Sequence, residues 1–236
     1  FMNNYVVYHL HDEMSLLDSV TKFTDYVDMA IENNMKAIAC TNHGNIYHWI
    51  ERVLYCQEKG IKYLHGCEVY LTESLEEKIR DNYHTVLIAK NKEGIKELNT
   101  LVGLATRKDH MYYKPRLSFE EFLNISDNII KISACLQSPL NRYNKNSLLY
   151  EKVSKHYDYY EIQYHDCDDQ REYNYYLYGL SKKNNIPLIV GTDTHSSNKY
   201  KAECRTILQL AKGIEFTNED DFDLTYKSFE ELVDMF

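Results

Sequence analysis

Tyr5-Val-Val-Tyr-His-Leu-His-Asp-Glu-Met-Ser-Leu-Leu-Asp18 is a short apolar run that opens onto two histidines and closes on an aspartate. Read as a strand from Tyr5 to Tyr8, it turns His9 and His11 to one side by period-two alternation, where both imidazoles can hold one metal ion. Alone, such a pair is more often two ordinary histidines than a metal site. Its weight depends on the rest of the chain, which repeats the theme of an apolar run ending in polar residues. Further runs lie at Ala37–Thr41, Tyr63–Val69, His84–Ala89, Ile129–Ser133, Tyr159–Gln163 and Leu188–Gly191. Helical periodicity fills the intervals at Val20–Asn33, Ile46–Lys59, Lys92–Thr106, Ser147–Lys155, Asp169–Asn184 and Lys201–Lys212. Strands alternating with helices predict an α/β fold with a parallel sheet, and seven strands approach barrel count. Ser118-Phe-Glu-Glu121 has the form of a capping box, and Arg107–Pro115 reads as a loop over a barrel face.

The 236 residues carry 44% hydrophobic side chains, enough for a sizeable core, and only three prolines, with no Gly/Ser-rich linker. A single domain over 1–236 is expected. No apolar run reaches about 18 residues and no charged-then-apolar leader is seen, so a cytoplasmic protein without a membrane span is expected. Phe1, ahead of Met2, stays outside the reading. The six cysteines lack CxxC spacing and are expected as reduced thiols. A net charge of −9 disfavours a free-standing nucleic-acid binder but not a nucleic-acid active site, where bound cations reverse the local potential. The 22 tyrosines are read as packing residues.

Placed on a barrel, the polar residues converge on the face at the strand ends. His9, His11 and Asp18 follow the first strand; His43 follows the second in Thr41-Asn-His-Gly44; Glu68 ends the third. His84 opens the fourth, which makes it the awkward member. Cys135 follows the fifth, and Asp193 and His195 follow the last in Gly191-Thr-Asp-Thr-His195. Each has a plainer reading: Asp18 or Asp193 as a helix cap, His43 or His84 as a hydrogen-bonded histidine, Cys135 as core. Together, five imidazoles, three carboxylates and a thiolate exceed what one zinc ion needs, and closely spaced metals suit phosphoester hydrolysis by a metal-bound hydroxide. Of the other histidines, His65 and His156 suit packing and a helix end, whereas His165 follows the sixth strand on the same face, as a candidate substrate contact.

On these residues the chain resembles the PHP (polymerase and histidinol phosphatase) family. His9-Leu-His11 with Ser15-Leu-Leu-Asp18 is similar to its first motif, Thr41-Asn-His-Gly44 to its second, Asn82-Tyr-His84 to its third and Asp193-Thr-His195 to its last. Met111-Tyr-Tyr-Lys-Pro-Arg116 and Leu224-Thr-Tyr-Lys-Ser-Phe-Glu-Glu-Leu232 resemble the polymerase branch, the amino-terminal PHP domains of bacterial DNA polymerase III alpha subunits; residues 222–236 resemble the exit toward a polymerase body. The resemblance implies a distorted seven-stranded barrel and three divalent ions, zinc, manganese or iron. His9, His11, Glu68 and Asp193 would hold one, Glu68, His84 and Cys135 a second, and Asp18, His43 and His195 a third, with Glu68 and Asp193 as bridging or supporting acids. It implies a 3′-5′ exonuclease acting on DNA, alongside polymerase subunits, with Lys114 and Arg116 as phosphate contacts. The alternatives are a small-molecule phosphomonoesterase of the histidinol-phosphatase type and a non-catalytic, metal-stabilised scaffold. Two positions depart from the pattern: Asn42 where Asp is usual, expected to weaken a hydrogen bond behind the ligands, and Ser19 where Gly is usual.

Overall fold

The computed structural model describes residues 5–80, 82–214 and 222–236. In chain order the elements begin with α1 (Phe23–Glu32), β1 (Ala37–Cys40), α2 (Trp49–Lys59), β2 (Lys62–Thr72), β3 (Tyr83–Ala89) and α3 (Lys92–Ala105). There follow β4 (Arg116–Ser118), α4 (Phe119–Leu123), β5 (Ile129–Ile132), α5 (Pro139–Arg142) and α6 (Leu148–His156). The chain closes with β6 (Tyr160–Ile162), α7 (Asp168–Asn184), β7 (Leu188–Val190), α8 (Lys199–Ala211) and α9 (Phe229–Met235). The fold is mixed α/β, and all six helices expected from periodicity are present. The expected strand at Tyr5–Tyr8 is absent, and β4 is an addition.

The chain divides into two compact units, one made of the residues up to Asn42, Tyr47–Leu64 and the stretch from Thr192, the other of His43–Ile46 and His65–Gly191. In the first unit, α1 buries Phe23, Tyr26, Val27 and Ala30 against Val7, Leu10, Ile38, Cys56 and Tyr226. These fall three and four apart on one helical face, the spacing that makes α1 amphipathic. Burying each large side chain contributes about 1.5–3 kcal/mol, so this small core is what holds β1 in place. The segment read as a first strand joins β1 through isolated bonds, Ala39 N–H to the Val7 carbonyl at 3.1 Å and Thr41 N–H to that of Leu10 at 2.8 Å. Leu10 then bridges Thr194 in parallel. Isolated bonds to two neighbours, without a ladder, leave the segment extended but irregular.

In the second unit β2 pairs antiparallel with β3 and parallel with β4, and β3 pairs antiparallel with β5. β6 and β7 form a separate parallel pair. The antiparallel pairs depart from the all-parallel expectation. The link from Glu73 to Asn82 is too short to carry a crossover helix, and a parallel neighbour requires a dozen or more connecting residues. Leu87, Leu117, Phe119, Phe122 and Ile129 are fully buried here. The Ser118–Glu121 capping box forms as read, with Ser118 Oγ accepting from the Glu121 N–H at 3.1 Å and Glu121 Oε2 accepting from the Ser118 N–H at 2.7 Å.

Candidate metal centre

Two sets of ligand-type side chains form, one in each unit. In the first, the 9–11 and 193–195 segments exchange backbone bonds, Thr194 N–H to the His9 carbonyl at 3.0 Å and His11 N–H to that of Thr194 at 2.8 Å. A parallel bridge at Leu10 and Thr194 leaves the flanking pairs, His9 with His11 and Asp193 with His195, on matching sides. The Nε2 atoms of His9 and His11 each lie 3.1 Å from the same oxygen, Asp193 Oδ1. Both imidazoles are wholly buried. His195 Nδ1 donates to the Asp193 carbonyl at 2.6 Å, which places the ring proton there and turns the Nε2 lone pair toward Asp18 Oδ2, 3.0 Å away. Two acceptors facing each other at that distance repel unless a cation or a proton joins them. Within this unit His9, His11 and Asp193 offer ligand atoms within 4.8 Å of one another, as do His11, Asp18 and His195.

The surroundings of this set fix its loop. Arg205 on α8 donates from Nε to the Asp18 carbonyl at 2.5 Å and from Nη2 to Asp18 Oδ1 at 3.1 Å. Ser19 Oγ donates to the His195 carbonyl at 2.7 Å, a bond that the glycine usual at this position cannot make. Asp18 therefore does not cap a helix: α1 starts at Phe23, whose N–H is taken by Glu13 Oε2 at 3.1 Å. Asp193 is no cap either, because Asn198 caps α8. One residue past His11, the carboxylate of Asp12 accepts from Arg52 Nε at 2.6 Å and from Asn42 Nδ2 at 2.6 Å, while Asn42 Oδ1 accepts from the Asp12 N–H at 2.9 Å. Asn42 thus makes two bonds where a loss was expected. Neither Asp12, Arg52 nor Arg205 stood out in the sequence; adjacency to His11 was the only signal for the first.

In the second unit Glu68, wholly buried on β2, sits between two histidines. Its Oε2 lies 3.2 Å from His43 Nδ1 and its Oε1 3.0 Å from His84 Nδ1. These three offer ligand atoms within 4.8 Å of one another, and Cys135 Sγ lies 3.7 Å from His84 Nδ1. The awkward position of His84 is explained by the antiparallel pairing: the start of β3 lies beside the later part of β2, in the register Tyr70 opposite His84. Gly44 N–H donates to the Glu68 carbonyl at 2.8 Å and holds His43 at the strand. Tyr70 stacks on His43 with ring centroids 5.7 Å apart and meets His84 edge-on at 5.2 Å.

Of the candidate substrate contacts, Lys114 is exposed, with its ammonium 5.3 Å above the Tyr70 ring. Arg116 is different. It is buried, and its guanidinium donates to the carbonyls of His110 at 3.0 Å, Ile79 at 3.2 Å and Leu75 at 3.4 Å. Those bonds tie the 107–115 loop to the 75–79 segment, and burial lowers the pKa of the group. Arg116 is therefore a structural arginine rather than a phosphate contact. His165 is buried on the exit from β6, with Nε2 2.9 Å from Gln163 Oε1.

Leu17, Ala134 and Asp193 have positive φ, 66°, 60° and 45°, a conformation costly for side chains with a Cβ. Each is at, or next to, one of the ligand-type residues, the kind of place where backbone strain is retained for side-chain placement.

A family model, described as the PHP domain, matches residues 8–177. The chain is similar to DNA polymerase III subunit alpha of Borreliella burgdorferi, 30% identical over 100% of this chain and 22% of that protein. The same subunit of Aquifex aeolicus is 31% identical over 93% of this chain and 21% of its own length. The chain thus spans about a fifth of these relatives. Among solved structures, a protein of Bifidobacterium adolescentis assigned as a metal-dependent phosphoesterase superposes with a TM-score of 0.54 at 12% identity, covering 99% of this chain and 96% of that one. An amidohydrolase from Chromobacterium violaceum, solved with sulfate and no metal, gives 0.53 at 14% identity over 80% and 87%. These two bear on the fold alone. With a family model matched over more than half of its length, the chain belongs to the PHP domain family.

Proposed function

We propose that His9, His11, Asp18, Asp193 and His195 in one unit, and His43, Glu68, His84 and Cys135 in the other, hold divalent metal ions, and that the protein is a metal-dependent phosphoesterase removing nucleotides from the 3′ end of DNA. The observation that carries this reading is the donor set: five imidazoles, buried at His9, His11 and His195 and half-buried at His43 and His84, each with a ring nitrogen 3.0–3.2 Å from a carboxylate oxygen. Such a set of nitrogen and oxygen donors fits zinc, manganese or iron, and the thiol of Cys135 favours the softer of these. Bound divalent cations would supply a water of lowered pKa and positive charge opposite the phosphate oxygens.

The chain's own residues do the rest. The Asp193 carbonyl keeps the proton of His195 on Nδ1. Arg205 holds the Asp18 carboxylate by its Oδ1, leaving Oδ2 toward His195. Lys114, above Tyr70, offers a cation to a phosphate oxygen. Similarity to the alpha subunits supports DNA as substrate and polymerase subunits as partners in the cytoplasm.

The test begins with elemental analysis of protein purified without added metal. Degradation of 5′-labelled single-stranded DNA is then compared with release of phosphate from an aryl phosphate. DNA shortening from the 3′ end, lost together with bound metal in His11→Ala, is expected. Phosphate release alone would move the substrate to a small monoester. Full cleavage by a metal-depleted His11→Ala would overturn the site.

A further inference from the structure

Tyr112, Tyr113 and Lys114 make a tight reversal in which the Tyr112 N–H donates to the Lys114 carbonyl at 3.2 Å. Tyr113 stands at its apex with φ +60° and is 67% exposed. Positive φ is costly for a side chain with a Cβ, and an exposed ring gains little from packing in return. Neither local propensity nor the core accounts for a tyrosine here. Its neighbours are a cation and a second ring. The Arg80 guanidinium lies 4.1 Å from the Tyr113 ring centroid and donates from Nη2 to the Tyr113 hydroxyl at 2.6 Å. Tyr112 crosses the same ring near a right angle, with centroids 4.8 Å apart.

Three contacts seat this reversal beside the ligand set of the second unit. Lys114 Nζ lies 5.3 Å from the Tyr70 ring, and Tyr70 packs on both His43 and His84. Pro115 lies against Gly44, the residue after His43, where a Cβ would come within 2.5 Å of Pro115 Cγ. Arg116 then enters β4 opposite Tyr70 of β2. The buried guanidinium of Arg116 also explains how Arg80 is brought to Tyr113. Its bond to the Ile79 carbonyl at 3.2 Å fixes the residue before Arg80, and its bond to that of His110 at 3.0 Å fixes the start of the loop. The run Arg80, Tyr113, Lys114, Tyr70 thus leads, cation and ring in alternation, to His43 and His84.

We propose that Arg80, Tyr113 and Lys114 form a subsite for single-stranded DNA beside the His43, Glu68 and His84 set. One base stacks on Tyr113, Arg80 and Lys114 meet phosphate oxygens, and Arg116 is the positioning residue that holds the two segments together. The choice of ligand rests on the phosphoester reading above. Stacking on a ring needs a base whose face is open, which a single strand offers and a paired duplex covers. Every base has such a face, so the subsite is indifferent to sequence. A chain of net charge −9 repels a polyanion at a distance, so attraction has to come from a local patch. From Met111 to Arg116 the chain carries two cations and no acid, and Arg80 adds a third cation.

The test is binding of fluorescein-labelled oligothymidylate to metal-replete protein, followed by anisotropy, with phosphorothioate linkages that resist cleavage. A strand of the same length and linkage made of abasic residues is measured alongside. Asparagine tolerates positive φ, so Tyr113→Asn removes the ring without new backbone strain, and melting temperatures verify that each variant is folded. Tyr113→Asn should weaken oligothymidylate binding about 10-fold and abasic binding no more than about twofold, whereas Tyr113→Trp, which keeps a ring, should stay within about threefold of the wild type. Lys114→Gln should flatten the dependence of log affinity on log salt by about 0.7 on both strands; an unchanged slope would remove Lys114 from the subsite. Equal losses on the two strands in Tyr113→Asn, no loss on either, or no binding by the wild type would overturn the proposal. Cleavage is scored separately on unmodified DNA and on an aryl phosphate. A wild type that binds through Tyr113 but cleaves neither overturns the phosphoester reading and leaves the subsite standing. DNA shortening by a wild type whose binding does not depend on Tyr113 overturns the subsite alone.

Discussion

Asp12 and Arg52 form a buried ion pair one residue beyond His11, and the pair shows how a ligand is held without being touched. Arg52 also lies over the Phe23 ring at 5.5 Å, so its charge is enclosed on one side by the core of α1. Burial pushes the neighbouring Cys40 thiol well above its usual range, with the negative charge of Asp12 adding to the effect. Asp12→Ala leaves the guanidinium buried without its carboxylate and should cost about 3–5 kcal/mol in urea denaturation. Asn42→Asp sets two carboxylates against each other where a 2.6 Å amide bond now stands, and a loss of about 1–3 kcal/mol is expected. The double variant Asp12→Asn/Asn42→Asp restores one acid and one amide and should recover part of that loss. Unchanged stability in Asn42→Asp would refute the reciprocal pair. Position 42 viewed alone reads as a lost hydrogen bond; only contact with position 12 reveals an exchange of roles.

Between α3 and α4 the 107–121 stretch is held by His110, whose Nδ1 lies 2.9 Å from Asp109 Oδ1 and whose Nε2 lies 2.7 Å from Glu121 Oε1. Burial pulls the imidazole pKa down, but the two carboxylates outweigh it and the net shift is upward. A histidine whose folded pKa exceeds its unfolded value stabilises fully below about pH 6.5 and loses that contribution as pH rises through the raised value. Thermal melts of wild type and His110→Gln should therefore differ at pH 5.5 and converge by pH 9; a gap independent of pH would rule the charge out. Ser118→Ala should cost about 1 kcal/mol through the cap of α4. At the other strand end, Gly44 has φ +63°, and a Cβ there would meet Pro115 Cγ at 2.5 Å. Gly44→Ala should cost about 1–3 kcal/mol and loosen His43, seen as weaker metal retention on dialysis. Caps and helices were legible because their signals lie within four residues of one another. The reversal of β3 was not: with strands read at Tyr63–Val69 and His84–Ala89 the link is long enough for a crossover, and only the continuation of β2 to Thr72 shortens it.

For the molecule as a whole, the proposed ligands, from His9 and Asp18 in one unit to Glu68 and Cys135 in the other, would link folding to metal binding. If the ions bind only the folded chain, removing them with EDTA should lower the melting temperature by about 5–10 °C, from ~2.7 kcal/mol of linkage at 100-fold saturation and about 2–4 °C per kcal/mol, and zinc or manganese should restore it. An unchanged melting curve would mean that the folded protein holds no metal. The residue types of the candidate centre, the helices and the alternation of strands were set by the sequence, because donor chemistry and periodicity are local properties. Which nitrogen faces which oxygen, the removal of Arg116 to three backbone carbonyls, and the exchange between Asp12 and Asn42 were decided by tertiary structure. Each depends on atoms brought within about 3 Å from distant or opposite-facing positions, and hydrogen bonds carry direction that a one-dimensional pattern does not.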